Sequence, residues 1–177
     1  MRQLLIGSGN SRARNIRPTR TDAGFEELTT LDVDPRCHPD VLWDLNVVPL
    51  PFEDSAFDEI HAYEVLEHIG RQGDWRGFFA EFSEYWRILA PNGYLVGSCP
   101  AYGDAWVWGD PGHTRLISPQ SFTFLDQSEY SKQIGKGSMT DYRVVYQADF
   151  NLAMQQQKDG VLYFALQAVK PSRHETL

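Results

Sequence analysis

Short apolar runs that end at glycine or aspartate alternate with longer mixed segments along the first hundred residues. Gln3 to Ile6 is one such run; it stops at Gly7 and reads as a buried parallel strand. Gly7-Ser8-Gly9-Asn10 follows at once and predicts a tight turn. Residues 11 to 24 are polar, contain Pro18 and carry no helical apolar stripe, and Phe25 to Leu28 reads as either one helical turn or a loop. Thr29 to Val33 predicts a second strand ended by Asp34-Pro35, and Val41 to Leu45 a weaker third. Pro49 and Pro51 each push the preceding residue toward extended geometry, so Val47 to Phe52 is not helical. Phe57 to Ala62 reads as the next strand, entered through a turn at Glu53 to Ala56.

The clearest helix is Trp75 to Leu89. Trp75, Phe78, Phe79, Phe82, Trp86 and Leu89 recur at three- and four-residue spacing, while Arg76, Glu81, Glu84 and Arg87 occupy the other face. Pro91-Asn92-Gly93 is expected to stop it, with Gly93 as the left-handed residue. Tyr94 to Ser98 reads as a strand, and residues 100 to 117 as a long loop rich in aromatics and glycine. Ser118-Pro119 predicts a short helix with Ser118 as its N-cap. Tyr142 to Phe150 and Val161 to Val169 read as an antiparallel strand pair around a polar connection. Strands that alternate with helices and close on a strand pair predict an α/β sandwich whose first part is parallel. Ligands in such sheets bind outside the carboxyl ends of the strands, where strand order reverses. That places a site near Gly7, Asp32, Asp44 and the residues after Ala62.

Composition narrows the class. The 177 residues are 42% apolar and 23% charged, as in globular domains. The 24 acidic residues outnumber the 16 basic ones for a net charge of −8, the opposite of what a phosphate-tracking groove needs, which argues against a nucleic-acid partner. The basic residues nevertheless cluster: Arg12, Arg14, Arg17 and Arg20 fall within nine positions. Cys37 and Cys99 have neither metal-ligand nor disulfide-framework spacing, which points to a reduced, cytoplasmic chain. No apolar run is long enough to span a membrane, and the first residues lack the apolar core of a signal peptide.

Gly7-Ser8-Gly9 ends the first strand and lets backbone approach a ligand; Asp32 ends the second, where a carboxylate can accept both hydroxyls of a ribose. Leu4-Leu5-Ile6-Gly7-Ser8-Gly9-Asn10, Leu31-Asp32-Val33-Asp34-Pro35 and Asp44-Leu45 resemble the first three motifs of class I S-adenosylmethionine-dependent methyltransferases. Leu50-Pro51-Phe52, Phe57-Asp58-Glu59-Ile60 and Val65-Leu66-Glu67-His68-Ile69 look like the next block, and Trp86 to Leu95 like the helix, turn and fifth strand. The ordered series is most similar to the methyltransferase type 11 group, in its branch with a shortened first crossover, and covers about residues 3 to 125.

The resemblance implies a Rossmann-like, seven-stranded, mostly parallel sheet with an antiparallel terminal strand and helices on both faces, as one domain over residues 1–177. It implies S-adenosylmethionine as cofactor, with Gly7, Ser8 and Gly9 as the cradling turn, Asp32 and Val33 at the ribose, Asp44 and Leu45 at the adenine, and Tyr63, Glu64 and Val65 near the methionine part. The turn departs from a fuller glycine series, and the first crossover carries four arginines in place of an apolar helix; these read as a solvated charge run. Tyr102, Trp106, Trp108, Asp110, His113 and Arg115 follow the fifth strand, on the edge where an acceptor would lie, and read either as a pocket wall or as a packed lid. Glu64 and His113 are the candidate bases; His68 reads as structural, because adjacent Glu67 and His68 on a helix do not face each other. No metal ligand set is expected. A nucleotide-binding dehydrogenase would share the Gly-x-Gly and the strand-end acid but not the Asp44, Pro51-Phe52 and Phe57-Asp58 series. A catalytically inactive binding module with the same fold is the other alternative.

Overall fold

The computed structural model describes residues 1–15 and 24–174. Arg17, Pro18 and Arg20 lie outside the described residues. The chain runs β1 (Arg2–Ile6), β2 (Glu27–Asp32), β3 (Val41–Leu42), β4 (Phe57–Tyr63), α1 (Trp75–Ile88), β5 (Leu89–Pro100), α2 (Trp106–Gly109), α3 (Pro119–Thr123), α4 (Gln127–Gln133), β6 (Phe150–Lys158) and β7 (Val161–Ala168). Short 3-10 turns occupy Pro35–Cys37 and Leu66–His68.

The strands form one seven-stranded sheet in the order β3-β2-β1-β4-β5-β7-β6. β1 to β5 pair in parallel, and β7 runs antiparallel to both β5 and β6. The order reverses between β1 and β4, so the crevice expected of an open α/β sheet opens above the ends of those two strands.

Leu4, Ile6, Leu31, Ile60, Ala62, Leu95, Phe164 and Leu166 form one apolar face of the sheet. α1 covers it with Phe79, Phe82, Tyr85 and Ile88, all buried. Of the expected stripe Phe79 and Phe82 are in this set, Trp75, Phe78 and Trp86 are only partly buried, and Glu81, expected on the polar face, is buried as well. Asp74 caps the helix by accepting the Gly77 N–H at 3.0 Å. Phe122 of α3 packs on the same face, 4.8 Å from the Phe164 ring.

The opposite face is polar near β1 and β4. Gln3 and His61 both bind the Glu59 carboxylate, at 2.7 and 3.0 Å, and Arg14 binds it as well. Arg14 is therefore not part of a solvated charge run: its side chain is 3% exposed against Glu59. Burial holds His61 below the ordinary imidazole range, against the pull of Glu59. The folded state thus resists a proton that the unfolded chain accepts below about pH 6.5. The contribution of His61 to stability is expected to be full above that pH and to shrink as pH falls toward its folded pKa. Urea unfolding of wild type and His61→Gln between about pH 7.5 and 5.5 checks this. The margin of wild type over the variant should narrow on acidification; a constant margin contradicts it.

β3 stops at Leu42 rather than Leu45, α2 interrupts the expected 100–117 loop, and three further elements differ from the sequence reading. Leu28 belongs to β2, which begins at Glu27, and Phe25 sits before it as an edge-on partner of His61 at 4.9 Å. Helix α1 ends at Ile88, and Leu89 already belongs to β5; Asn92, not Gly93, takes the left-handed backbone (φ 64°). Gly93 is needed for closeness instead, since a Cβ there would lie 2.8 Å from the Asp58 carbonyl. Finally, Tyr142 to Asp149 is not a strand. Tyr146 is drawn under α1 against Phe79, and the strand is the polar run Phe150–Lys158, mostly exposed because it is the sheet edge. Asp159-Gly160, both left-handed (φ 51° and 78°), joins β6 to β7 as a two-residue hairpin.

Candidate active site

The turn after β1 is built for close approach. Gly7 and Gly9 both have positive φ (58° and 49°). A Cβ on Gly7 would lie 2.3 Å from Cγ2 of Val65, so the end of β1 closes directly on the residues that follow β4. A Cβ on Gly9 would meet nothing within 4 Å, leaving the other side of the turn open. Asp32 joins the turn to β2: its Oδ2 accepts the Gly9 N–H at 2.8 Å and its Oδ1 the Asp34 N–H at 2.9 Å. Each oxygen keeps a lone pair for a further donor. The Ser8 hydroxyl is buried with no hydrogen-bond partner among the described residues.

Asp44 and Leu45 follow β3, a two-residue strand held to β2 by a bond from the Trp43 N–H to the Asp32 carbonyl. Asp44 is exposed and accepts two bonds from Asn46, whose own side-chain oxygen accepts the Gly70 N–H. Leu45 is buried, whereas Val33 is 64% exposed beside Asp32, an apolar side chain left open at the strand end.

After β4 the side chains diverge. Tyr63 turns to the polar face, its hydroxyl 2.7 Å from Nδ1 of His61. Glu64 has positive φ (51°), is exposed, and donates its N–H to the Ser98 carbonyl. Val65 is buried against Gly7. The next turn carries the residue that sequence reasoning set aside. Glu67 is 2% exposed, and neither carboxylate oxygen has a hydrogen-bond partner among the described residues. Burial, aided by repulsion from Glu64, pushes its carboxyl up to about 7, against the opposing pull of His113 and Arg115. The available signal was position: Glu67 interrupts the apolar run Val65-Leu66…Ile69.

The long loop is stitched to this turn. The Glu67 carbonyl accepts the N–H groups of Thr114 and Arg115, and the Leu66 carbonyl accepts Nε of Arg115. Its proposed wall residues divide into two sets. Tyr102, Trp106 and Trp108 are 76%, 66% and 61% exposed. His113 and Arg115 point inward instead. Arg115 grips Glu81 of α1 through two bonds of 2.7 and 2.9 Å, so its guanidinium is engaged in the core. His113 donates from Nδ1 to the Val107 carbonyl, leaving Nε2 as a lone pair 4.0 Å from Oε1 of Glu67. Asp110 caps the loop by accepting the Gly112 N–H. Arg12, in the first crossover, ties the carbonyls of Gly9 and Ser11 to that of Cys37.

The profile of the methyltransferase domain family matches residues 4–97, the span that holds the turn, Asp32, Asp44 and the segment after β4. The chain belongs to that family, and its architecture is that of the class I S-adenosylmethionine-dependent methyltransferases. Among solved structures it is similar to a SAM-dependent methyltransferase from Archaeoglobus fulgidus, with 12% identity, TM-score 0.56, and coverage of 94% of this chain and 86% of that one. The N-methyltransferase NodS from Bradyrhizobium japonicum is 16% identical with TM-score 0.54, covering 96% and 86%. The cyclase SpnF shares the fold at TM-score 0.57 and 13% identity, covering 95% and 74%. Comparison with curated proteins gives no significant match. No helix among the described residues is long and apolar enough to cross a membrane.

Proposed function

We propose that the domain is an active enzyme that moves a methyl group from S-adenosylmethionine to an acceptor held under the 100–117 loop. The observation that carries the reading is the Asp32 carboxylate, fixed by two backbone N–H groups at the end of β2, one strand away from the β1–β4 reversal of strand order. A carboxylate pinned this way is pre-aimed, with free lone pairs for the two hydroxyls of a ribose. The remaining residues fit the cofactor. Gly9 leaves one side of the turn open and Ser8 brings an unsatisfied hydroxyl, Val33 presents an exposed apolar side chain beside Asp32, and Asp44 with the Leu45 backbone would meet the adenine amino group. The backbone of Tyr63 to Val65 would line the methionine end, since the Tyr63 and Val65 side chains are engaged elsewhere.

The sulfonium supplies an already activated methyl group. The protein's own work is then to exclude water, align the acceptor and take up a proton where the acceptor loses one. His113 suits the last task, with a buried Nε2 lone pair facing the site; Glu64, exposed on its left-handed turn, is the alternative. Tyr102, Trp106 and Trp108 offer the acceptor a stacking surface. The sheet and its main core run from Leu4 to Ala168, which supports a single domain, and two free cysteines suit a reducing compartment such as the cytoplasm.

S-adenosylhomocysteine is expected to bind by calorimetry, and nicotinamide cofactors are not. Asp32→Ala removes a charged acceptor and lets the Gly9 turn relax. Bonds to charged groups contribute about 1.5–3 kcal/mol, so affinity should fall roughly ten- to a hundredfold. Unchanged affinity in a folded Asp32→Ala protein would sink the assignment.

A further inference from the structure

We infer that Glu67, His68 and His113 form a binding site for one divalent first-row transition-metal ion. One ligand atom from each lies within 4.8 Å of the others. The two rings touch edge-on, centroids 4.7 Å apart.

The hydrogen bonding around the trio sets each group up as a ligand. Nδ1 of His68 lies 3.0 Å from the Gly112 carbonyl, and Nδ1 of His113 lies 3.1 Å from the Val107 carbonyl. A carbonyl only accepts, so each Nδ1 carries the proton and each Nε2 keeps its lone pair. Donation of the second ring nitrogen to a backbone carbonyl is the outer-shell arrangement that orients metal-ligating histidines. Glu67 completes the set with a buried carboxylate whose oxygens are both unpartnered. An isolated carboxylate in such a place is costly, and a cation supplies the countercharge that burial withholds. Arg115 does not supply it directly, since its guanidinium is held by Glu81.

The frame is rigid where it needs to be. The Thr114 and Arg115 N–H groups and the Thr114 hydroxyl bond to the Glu67 carbonyl, holding the His113 loop against the Glu67-His68 turn. His68 is exposed and gives an ion a way in. Ligands to one such ion at about 2.0–2.2 Å lie roughly 3–4 Å apart, so the trio closes with about 1 Å of side-chain movement. Two imidazoles and one carboxylate suit zinc, cobalt, manganese or iron over calcium or magnesium.

Three protein ligands leave coordination positions open for water or for an acceptor hydroxyl, whose proton a bound cation would acidify; with its Nε2 on the ion His113 no longer accepts that proton, which falls to Glu64 or water. That last role rests on the methyl-transfer reading; the metal site does not.

The test uses the full chain, freed of metal by a chelator and titrated with Co2+ under visible absorption, beside calorimetry with S-adenosylhomocysteine. Wild type is expected to take one Co2+ per chain with ligand-field bands. Glu67→Gln and His113→Gln should weaken it by about 100-fold or more while leaving S-adenosylhomocysteine affinity within about twofold. Glu67→Gln relieves a buried charge, so loss of folding is not expected to confuse the result. Zinc should displace the cobalt bands. No bands at millimolar Co2+, or equal bands in wild type and both variants, overturns the site. Cobalt binding without any S-adenosylhomocysteine binding would retain the metal site and reject the methyl-donor reading instead.

Discussion

Arg115→Ala should lower the unfolding free energy by about 3–5 kcal/mol. Both nitrogens of the guanidinium fork bind both oxygens of Glu81, and Nε binds the Leu66 carbonyl. The two side chains are 5% and 6% exposed. Truncating one partner leaves a charge buried without its counterpart, which costs more than the pair itself contributes. Glu81 would keep only the Tyr85 hydroxyl, at 2.8 Å. Removing both charges with Glu81→Gln and Arg115→Met should recover part of the loss, and a double-mutant cycle measures the coupling. Urea unfolding reads Arg115→Ala and the four proteins of the cycle. A loss under about 1 kcal/mol in Arg115→Ala would mean that water reaches Glu81. The variant that still folds should keep its affinity for S-adenosylhomocysteine, because Arg115 serves the loop and α1 rather than the cofactor turn.

Phe82→Ala should cost a similar amount, about 3–5 kcal/mol, for a different reason. Phe82 is fully buried and packs against Phe78 and Tyr85, with ring centroids at 4.7 and 5.7 Å. Its removal opens a cavity in the layer that holds α1 on the sheet, and dense neighbours collapse into it only partly. The denaturation midpoint should drop with an unchanged slope. Wild-type stability combined with lost cofactor binding would show that the helix forms a binding surface and not the core.

The core of that layer was legible because periodicity reports it directly. Trp75 to Ile88 repeats apolar residues at helical spacing, and the runs at Gln3, Thr29 and Phe57 are short and bounded by turn residues, as strands are. The turn and the acid on which the methyl-donor reading rests were equally legible, because they lie at strand ends. A short turn with Gly7 and Gly9 and an acid at Asp32 are local features, and parallel pairing of β1 with β2 necessarily brings them together.

Misreadings arose where packing partners outweighed local composition. The Gln-rich run that became β6 reads as a connection, since nothing in it asks to be buried; the ladder to β7 makes it a strand. Tyr142 to Asp149 reads as a strand because its apolar residues alternate, yet Tyr146 is claimed by α1. Arg14 looks like a surface charge until Glu59, forty-five positions later, arrives beneath it.

Taken alone, the sequence determined the α/β class, the cofactor-binding edge and its family, because each follows from short-range pattern and fixed strand-end chemistry. Tertiary structure decided the fate of the charged residues on the acceptor side. Whether His113 and Arg115 face a ligand or the core, and whether Glu67 has a partner, depends on how the 100–117 loop docks on the turn after β4. That docking is set by backbone hydrogen bonds between Glu67 and Thr114, and backbone groups carry no sequence signature.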